Sequence, residues 1–112
     1  MSSTRFPRTH RLLRPTEFTA VLRYPTINKS NGPLRIRAIQ NRMPFARLGV
    51  SVPKKGNRNA VRRNRIKRIV REQFRHCQDD LAGHDLVVQV FAAIEDDALK
   101  HNLDKLLNEM VR

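Results

Sequence analysis

Between Ala60 and Cys77 the chain carries two kinds of residue that a helix would separate onto opposite faces. Ile66, Ile69, Val70, Gln73, Phe74 and Cys77 recur at about 100° per residue, the period of an α-helix with one buried side. Asn64, Arg65, Lys67, Arg68, Arg71 and Arg75 fill a polar arc of roughly 160° opposite that stripe. Such a helix must lay its apolar side on another element. It must also accept Arg68, Arg71 and Arg75 stacked at i,i+3 and i,i+4, where like charges repel. A merely solvated face mixes both signs. A face that keeps only one sign gains from an anion docked against it.

The flanking segments supply a sheet. Leu34-Arg35-Ile36-Arg37-Ala38-Ile39 alternates apolar and basic residues, the period of a half-buried strand. Leu48 to Val52 reads as a second strand, with Leu48, Val50 and Val52 on one face. Gly49 and Ser51 leave its other face almost bare, open to close approach by a nucleic-acid backbone. Leu86 to Phe91 is apolar on both faces and predicts a central, covered strand. Pro15-Thr16-Glu17 opens a short helix with Phe18, Val21 and Leu22 at helical spacing, and Pro25 closes it. Thr26 to Pro33 is rich in Asn, Ser, Gly and Pro and reads as a loop. Glu95, Asp96 and Asp97 suit a helix N-terminus, and Leu99, Leu103, Leu106 and Met110 form the stripe of that helix. The predicted order is helix, strand, strand, helix, strand, helix, and 112 residues suffice for one α/β domain, 1–112. Residues 1–9 are expected to be flexible.

Charge is divided unequally along the chain. Of 23 Lys and Arg, 20 lie in residues 1–75, with only Glu17 and Glu72 against them, a net of +18. Residues 76–112 carry eight acids and a net of −5, so the last helix is expected to pack on the sheet away from any polyanion. Seventeen of the basic residues are Arg, which forks onto phosphate and stacks on bases where Lys cannot. This favours nucleic acid over an anionic membrane surface. No apolar run reaches the roughly 18 residues of a spanning helix, and Met1 to Arg14 lacks the apolar stretch of a signal peptide. Cys77 is the one cysteine, which rules out an internal disulfide and fits a reducing, cytoplasmic setting.

Catalytic chemistry has little to stand on. His10, His76, His84 and His101 are scattered, and none has a partner at metal-ligand spacing. Asp96, Asp97 and Asp104 could be imagined on magnesium, but a helix start explains the first two better. Gly56 stands alone, without the Gly-Lys-Ser/Thr of a nucleotide-triphosphate loop. No nucleophile and base are paired. No heptad zipper follows the basic helix and no second helix immediately precedes it, so RNA is favoured over duplex DNA. Phe18 or Tyr24 could stack on unpaired bases, although the spacing of Phe18 also suits a core residue.

Arg63-Asn64-Arg65-Ile66-Lys67-Arg68, preceded by Lys54-Lys55 and Ala60 and followed by Arg71-Glu72 and Phe74, closely resembles the signature helix of the bacterial ribonuclease P protein component. Arg11-Leu12 with Glu17-Phe18, Leu48 to Val52 running into Lys54-Lys55, and Asp85-Leu86-Val87-Val88 fit the same family in order and spacing. The resemblance spans about residues 10–110. It implies a small two-layer α/β sandwich with a left-handed βαβ crossover, similar to a ribosomal-protein domain. It implies a protein subunit that binds a catalytic RNA and the 5′ leader of precursor tRNA, while the RNA and its Mg²⁺ remove the leader. No catalytic or metal-binding protein residue and no small-molecule substrate is then expected.

By position, the RNA contacts would be Lys54, Lys55, Arg58, Arg62, Arg63, Asn64, Arg65, Lys67, Arg68, Arg71 and Arg75. The leader cleft would comprise Arg11, Phe18, Leu22, Arg35, Arg37 and Ser51. Many members carry a further aromatic where this chain has Leu22, and several carry one on the strand holding Arg35 and Arg37, so charge would replace some stacking here. The alternative is a structural, ribosomal-type RNA-binding protein with no processing role. A DNA-binding module and an independent protein nuclease are more distant.

Overall fold

A computed structural model of the chain describes residues 13–110. Helix α1 spans Pro15–Arg23, strands β1, β2 and β3 span Ile27–Asn31, Leu34–Gln40 and Arg47–Ser51, and helix α2 spans Ala60–Cys77. A 3₁₀ turn over Gln78–Leu81 leads into β4, His84–Val90, and α3, Asp96–Met110, follows. The strands form one sheet in the order β1-β2-β4-β3. β1 with β2 and β2 with β4 are antiparallel, whereas β3 and β4 are parallel and α2 makes the crossover between them.

The apolar stripes predicted for the two long helices meet the sheet. Ile66, Ile69, Val70 and Phe74 of α2 and Leu99, Leu103, Leu106 and Leu107 of α3 are buried with Leu34, Ile36, Ala38, Leu48, Leu86, Val88 and Val90. This is the sandwich of sheet and helices, with an aliphatic core. β4 lies centrally and is covered on both faces, as its unbroken apolar run requires. Its alternate residues Val87 and Gln89 point away from the long helices. On that second face α1 lies across β2 and β4 and buries Val21 fully. The N-terminus of α1 has Pro15 at its first position, and Glu17 Oε1 accepts the Arg14 N–H at 2.8 Å.

One predicted loop is a strand. Thr26 to Pro33 contains β1, paired with β2 from Ile27↔Ala38 to Asn31↔Leu34. Gly32 takes φ +59°, which lets the Gly32-Pro33 turn close the hairpin. The strand escapes sequence periodicity because Asn28, Lys29, Ser30 and Asn31 are polar on both faces, as an edge strand permits. The predicted order therefore lacks one strand.

Candidate nucleic-acid interface

The N-terminus of α2 is fixed by its own polar residues. Asn59 caps the helix, its side-chain oxygen accepting the Arg62 N–H at 3.0 Å. Arg62 then reaches α3, donating to Asp96 Oδ1 at 2.5 Å and to the Ile94 carbonyl. Arg65 joins it, with Nε 2.7 Å and Nη2 2.6 Å from Asp96 Oδ2. Hydrogen bonds from Arg65 and then Arg62 hold the Asp96 carboxyl down to about 2. Arg63 turns the other way and donates to the carbonyls of Asn57 at 2.9 Å and Arg58 at 2.8 Å, bracing the loop before the helix.

Arg62, Arg63 and Arg65 are thus occupied by the protein itself. The acidic α3 packs on the sheet, as expected, and also lies beside α2, where Asp96 ties the two helices together.

The rest of the predicted basic surface is available. Lys54, Lys55, Arg58, Asn64, Arg68 and Arg75 are exposed, and Lys67 and Arg71 are half-buried on the flank of α2. Among the described residues, Lys54, Lys55, Arg58, Lys67, Arg68 and Arg71 form no ion pair, while Arg75 pairs with Glu72 at 2.6 Å. An open groove of about 360 Å³ runs along the α3 side of α2, lined by Arg68, Ile69, Glu72, Gln73, His76 and Lys100.

The second sheet face brings together most of the predicted cleft. Strand alternation and register put Arg35 beside Gln89 and Ser51 in one row, and Arg37 beside Val87 and Gly49 in the next. Phe18 and Leu22, both half-buried, come from α1 above them. Arg11 lies outside the described residues. Gly49 is not a bare floor for a nucleic-acid backbone. A Cβ there would lie 2.6 Å from Phe18 Cε2, so the phenylalanine ring occupies the space that the glycine leaves.

A buried ionic bridge escaped sequence reasoning. Arg47 donates to both oxygens of Asp85, from Nε and Nη2 at 2.8 Å each, and to Glu17 Oε2 on α1 at 2.5 Å. Asp85 is 4% exposed and also accepts from Asn41 Nδ2 at 2.8 Å. The hydrogen bond to Asp85 leads in raising the Arg47 guanidinium above its ordinary range. Glu17 is lowered, first by the Arg14 N–H and then by Arg47. The bridge ties α1 to the sheet one residue from Phe18. Three charges so far apart in sequence give no local signal.

Among the described residues no three of His, Cys, Asp and Glu are grouped to hold a metal ion. Glu17, Glu72, Asp85, Asp96 and Glu109 are already paired with Arg or Lys. Of the three acids that the sequence could place on magnesium, Asp96 is committed to Arg62 and Arg65. Burial, with Asp80 and Asp104 nearby, pushes the Cys77 thiol up to about 11. Among the described residues no helix is long and apolar enough to cross a membrane.

Fold and site together define a small basic α/β protein of the kind that assembles with nucleic acid. The family model for ribonuclease P matches residues 6–111. The ribonuclease P protein component of Halorhodospira halophila is 49% identical over 90 residues, covering 80% of this chain and 74% of that protein. That of Pseudomonas aeruginosa is 37% identical over 115 residues, covering 100% of this chain and 85% of the relative. The Staphylococcus aureus RNase P protein superposes with a TM-score of 0.80 at 25% identity, over 90% of this chain and 94% of that one. The Thermotoga maritima protein gives 0.74 at 27% identity, over 88% and 96%. The chain belongs to the ribonuclease P protein component family. Membership ties it to ribonuclease P, a ribonucleoprotein of tRNA processing, and implies the RNase P RNA as its partner.

Proposed function

We propose that this chain, acting as one domain in the cytoplasm, binds the catalytic RNA subunit of ribonuclease P through α2 and the Lys54–Arg58 loop. It holds the single-stranded 5′ leader of precursor tRNA on the α1 face of the sheet. It thereby assists endonucleolytic removal of the leader, while hydrolysis and the Mg²⁺ it uses belong to the RNA. The reading is carried by the outward face of α2, where Asn64, Arg68 and Arg75 are exposed beside Lys54, Lys55 and Arg58 and only Glu72 opposes them.

Catalytic RNA and precursor tRNA are both polyanions and repel one another. A segment of net charge +18 placed between them lowers that repulsion. On the other side of the sheet, Phe18 offers a stacking edge, and Arg35 and Arg37 offer cations for an unpaired strand.

The test is assembly of the Lys67→Ala, Arg68→Ala double variant, two α2 cations that form no ion pair among the described residues, with ribonuclease P RNA across a salt series. Removal of two cations should weaken assembly and flatten the slope of log affinity against log salt by about 1.5. Unchanged assembly at moderate salt refutes the assignment of α2. A protein that binds the RNA but is indifferent to the leader would be a structural RNA-binding protein.

A further inference from the structure

Gln89 is an amide set in the floor of the α1 face. It is 9% exposed, and its Oε1 is buried with no hydrogen-bond partner. Its neighbours across the sheet at the same level are Arg35 on β2 and Ser51 on β3. Arg35 is half-buried and, among the described residues, its side chain makes no hydrogen bond or ion pair. One row along, the Nε of Arg37 is also buried and unpartnered. An acceptor and a donor lie on the same face, two residues apart in register, and do not satisfy each other.

Buried polar atoms without partners are rare, because each forfeits its bond to water and receives nothing back. β4 is otherwise apolar along this stretch, so Leu or Val at position 89 would suit the sheet better than Gln. The position is thus poor for folding.

We infer that Gln89 reads the base edge of one unpaired leader nucleotide, making it a specificity-determining residue of the cleft. The inference rests on the proposal that the leader lies on this face. Gln89 Oε1 would accept from a ring N–H or an exocyclic amine of the base. The Arg37 Nε and the Arg35 guanidinium would donate to acceptors on the base or to the adjoining phosphate. Phosphate offers no donor to such an acceptor, so on an RNA strand Oε1 calls for a base N–H or a ribose 2′-hydroxyl, and base and abasic substitutions tell the two apart.

The test uses ribonuclease P reconstituted from this protein and a ribonuclease P RNA. Precursor tRNAs carry each of the four bases, or an abasic nucleotide, at successive leader positions. The wild-type protein is expected to discriminate among bases at one position by about fivefold in Kd, the scale of one good hydrogen bond. Gln89→Leu keeps the volume and removes the unpaired amide, so it should fold at least as stably as the wild type. It should level the preference at that position, bringing the preferred leader down about fivefold to the affinity of the others. Retained base preference in Gln89→Leu overturns the inference. So does a wild-type protein with no base preference at any leader position. A leader that adds no affinity to the wild-type complex refutes the cleft itself, and is told apart because mature and precursor tRNA then bind alike.

Discussion

Gly49→Ala is the sharpest perturbation of the α1 face. The added Cβ would stand 2.6 Å from Phe18 Cε2, 2.7 Å from Phe18 Cδ2 and 3.3 Å from Leu13 Cδ1. Ordinary carbon contacts lie at about 3.5–4.0 Å, so the ring must retreat by roughly 1 Å. It cannot do so freely, because α1 is held next door by the Glu17–Arg47–Asp85 bridge. Overpacking of this kind costs about 1–3 kcal/mol of stability.

The functional cost is separate. If Phe18 stacks on a leader base, displacement forfeits up to the stacking value of about 1–3 kcal/mol, or roughly 5- to 150-fold in affinity. The assay is Kd for precursor and for mature tRNA, measured with the reconstituted complex. The precursor should suffer and the mature tRNA hardly change. Phe18→Leu in the same background should relieve the stability loss, since a smaller side chain vacates the space, without restoring leader affinity. Equal losses on both tRNAs, or no loss on either, would refute the placement of Phe18 against the leader.

Arg47→Met should cost about 3 kcal/mol in urea unfolding, because it strands the buried Asp85 carboxylate with Asn41 as its remaining side-chain partner. Asp96 is depressed to about 2 by Arg65 and Arg62, so its contribution to stability is complete above its ordinary value of 3.8 and fades as pH falls toward 2. Asp96→Asn should therefore remove part of the acid sensitivity of the thermal midpoint between pH 4 and pH 2; an unchanged acid profile would show that the Asp96 pairs do not persist in solution. With its pKa raised to about 11, Cys77 should react slowly with a thiol reagent at pH 7.5 in the folded protein and rapidly in denaturant. Equal rates would contradict its burial.

Helical and strand periodicity make most of the fold legible in the sequence. The stripe Ile66, Ile69, Val70, Phe74 and the run Leu86 to Val90 each bury the side that their spacing marks. β1 is hidden because an edge strand needs no apolar face. The basic face of α2 is readable as charge, but three arginines of the helix are not readable as struts. Arg62, Arg63 and Arg65 serve carbonyls and a carboxylate that only folding brings near. Gly49 illustrates the same limit. Its missing side chain is visible in the sequence, whereas Phe18, 31 residues earlier, fills the space. Asp85, Arg47 and Glu17 likewise become one bridge only when β4, β3 and α1 meet.

Whether the protein serves as the partner of a catalytic RNA is decided by cleavage of a 5′-extended precursor tRNA at low, near-physiological Mg²⁺. The three arms are this protein alone, a bacterial ribonuclease P RNA alone, and the two together. Efficient cleavage at the mature 5′ end is expected only when both are present. Cleavage by the RNA that is no faster with the protein would contradict that role, and so would cleavage by the protein alone.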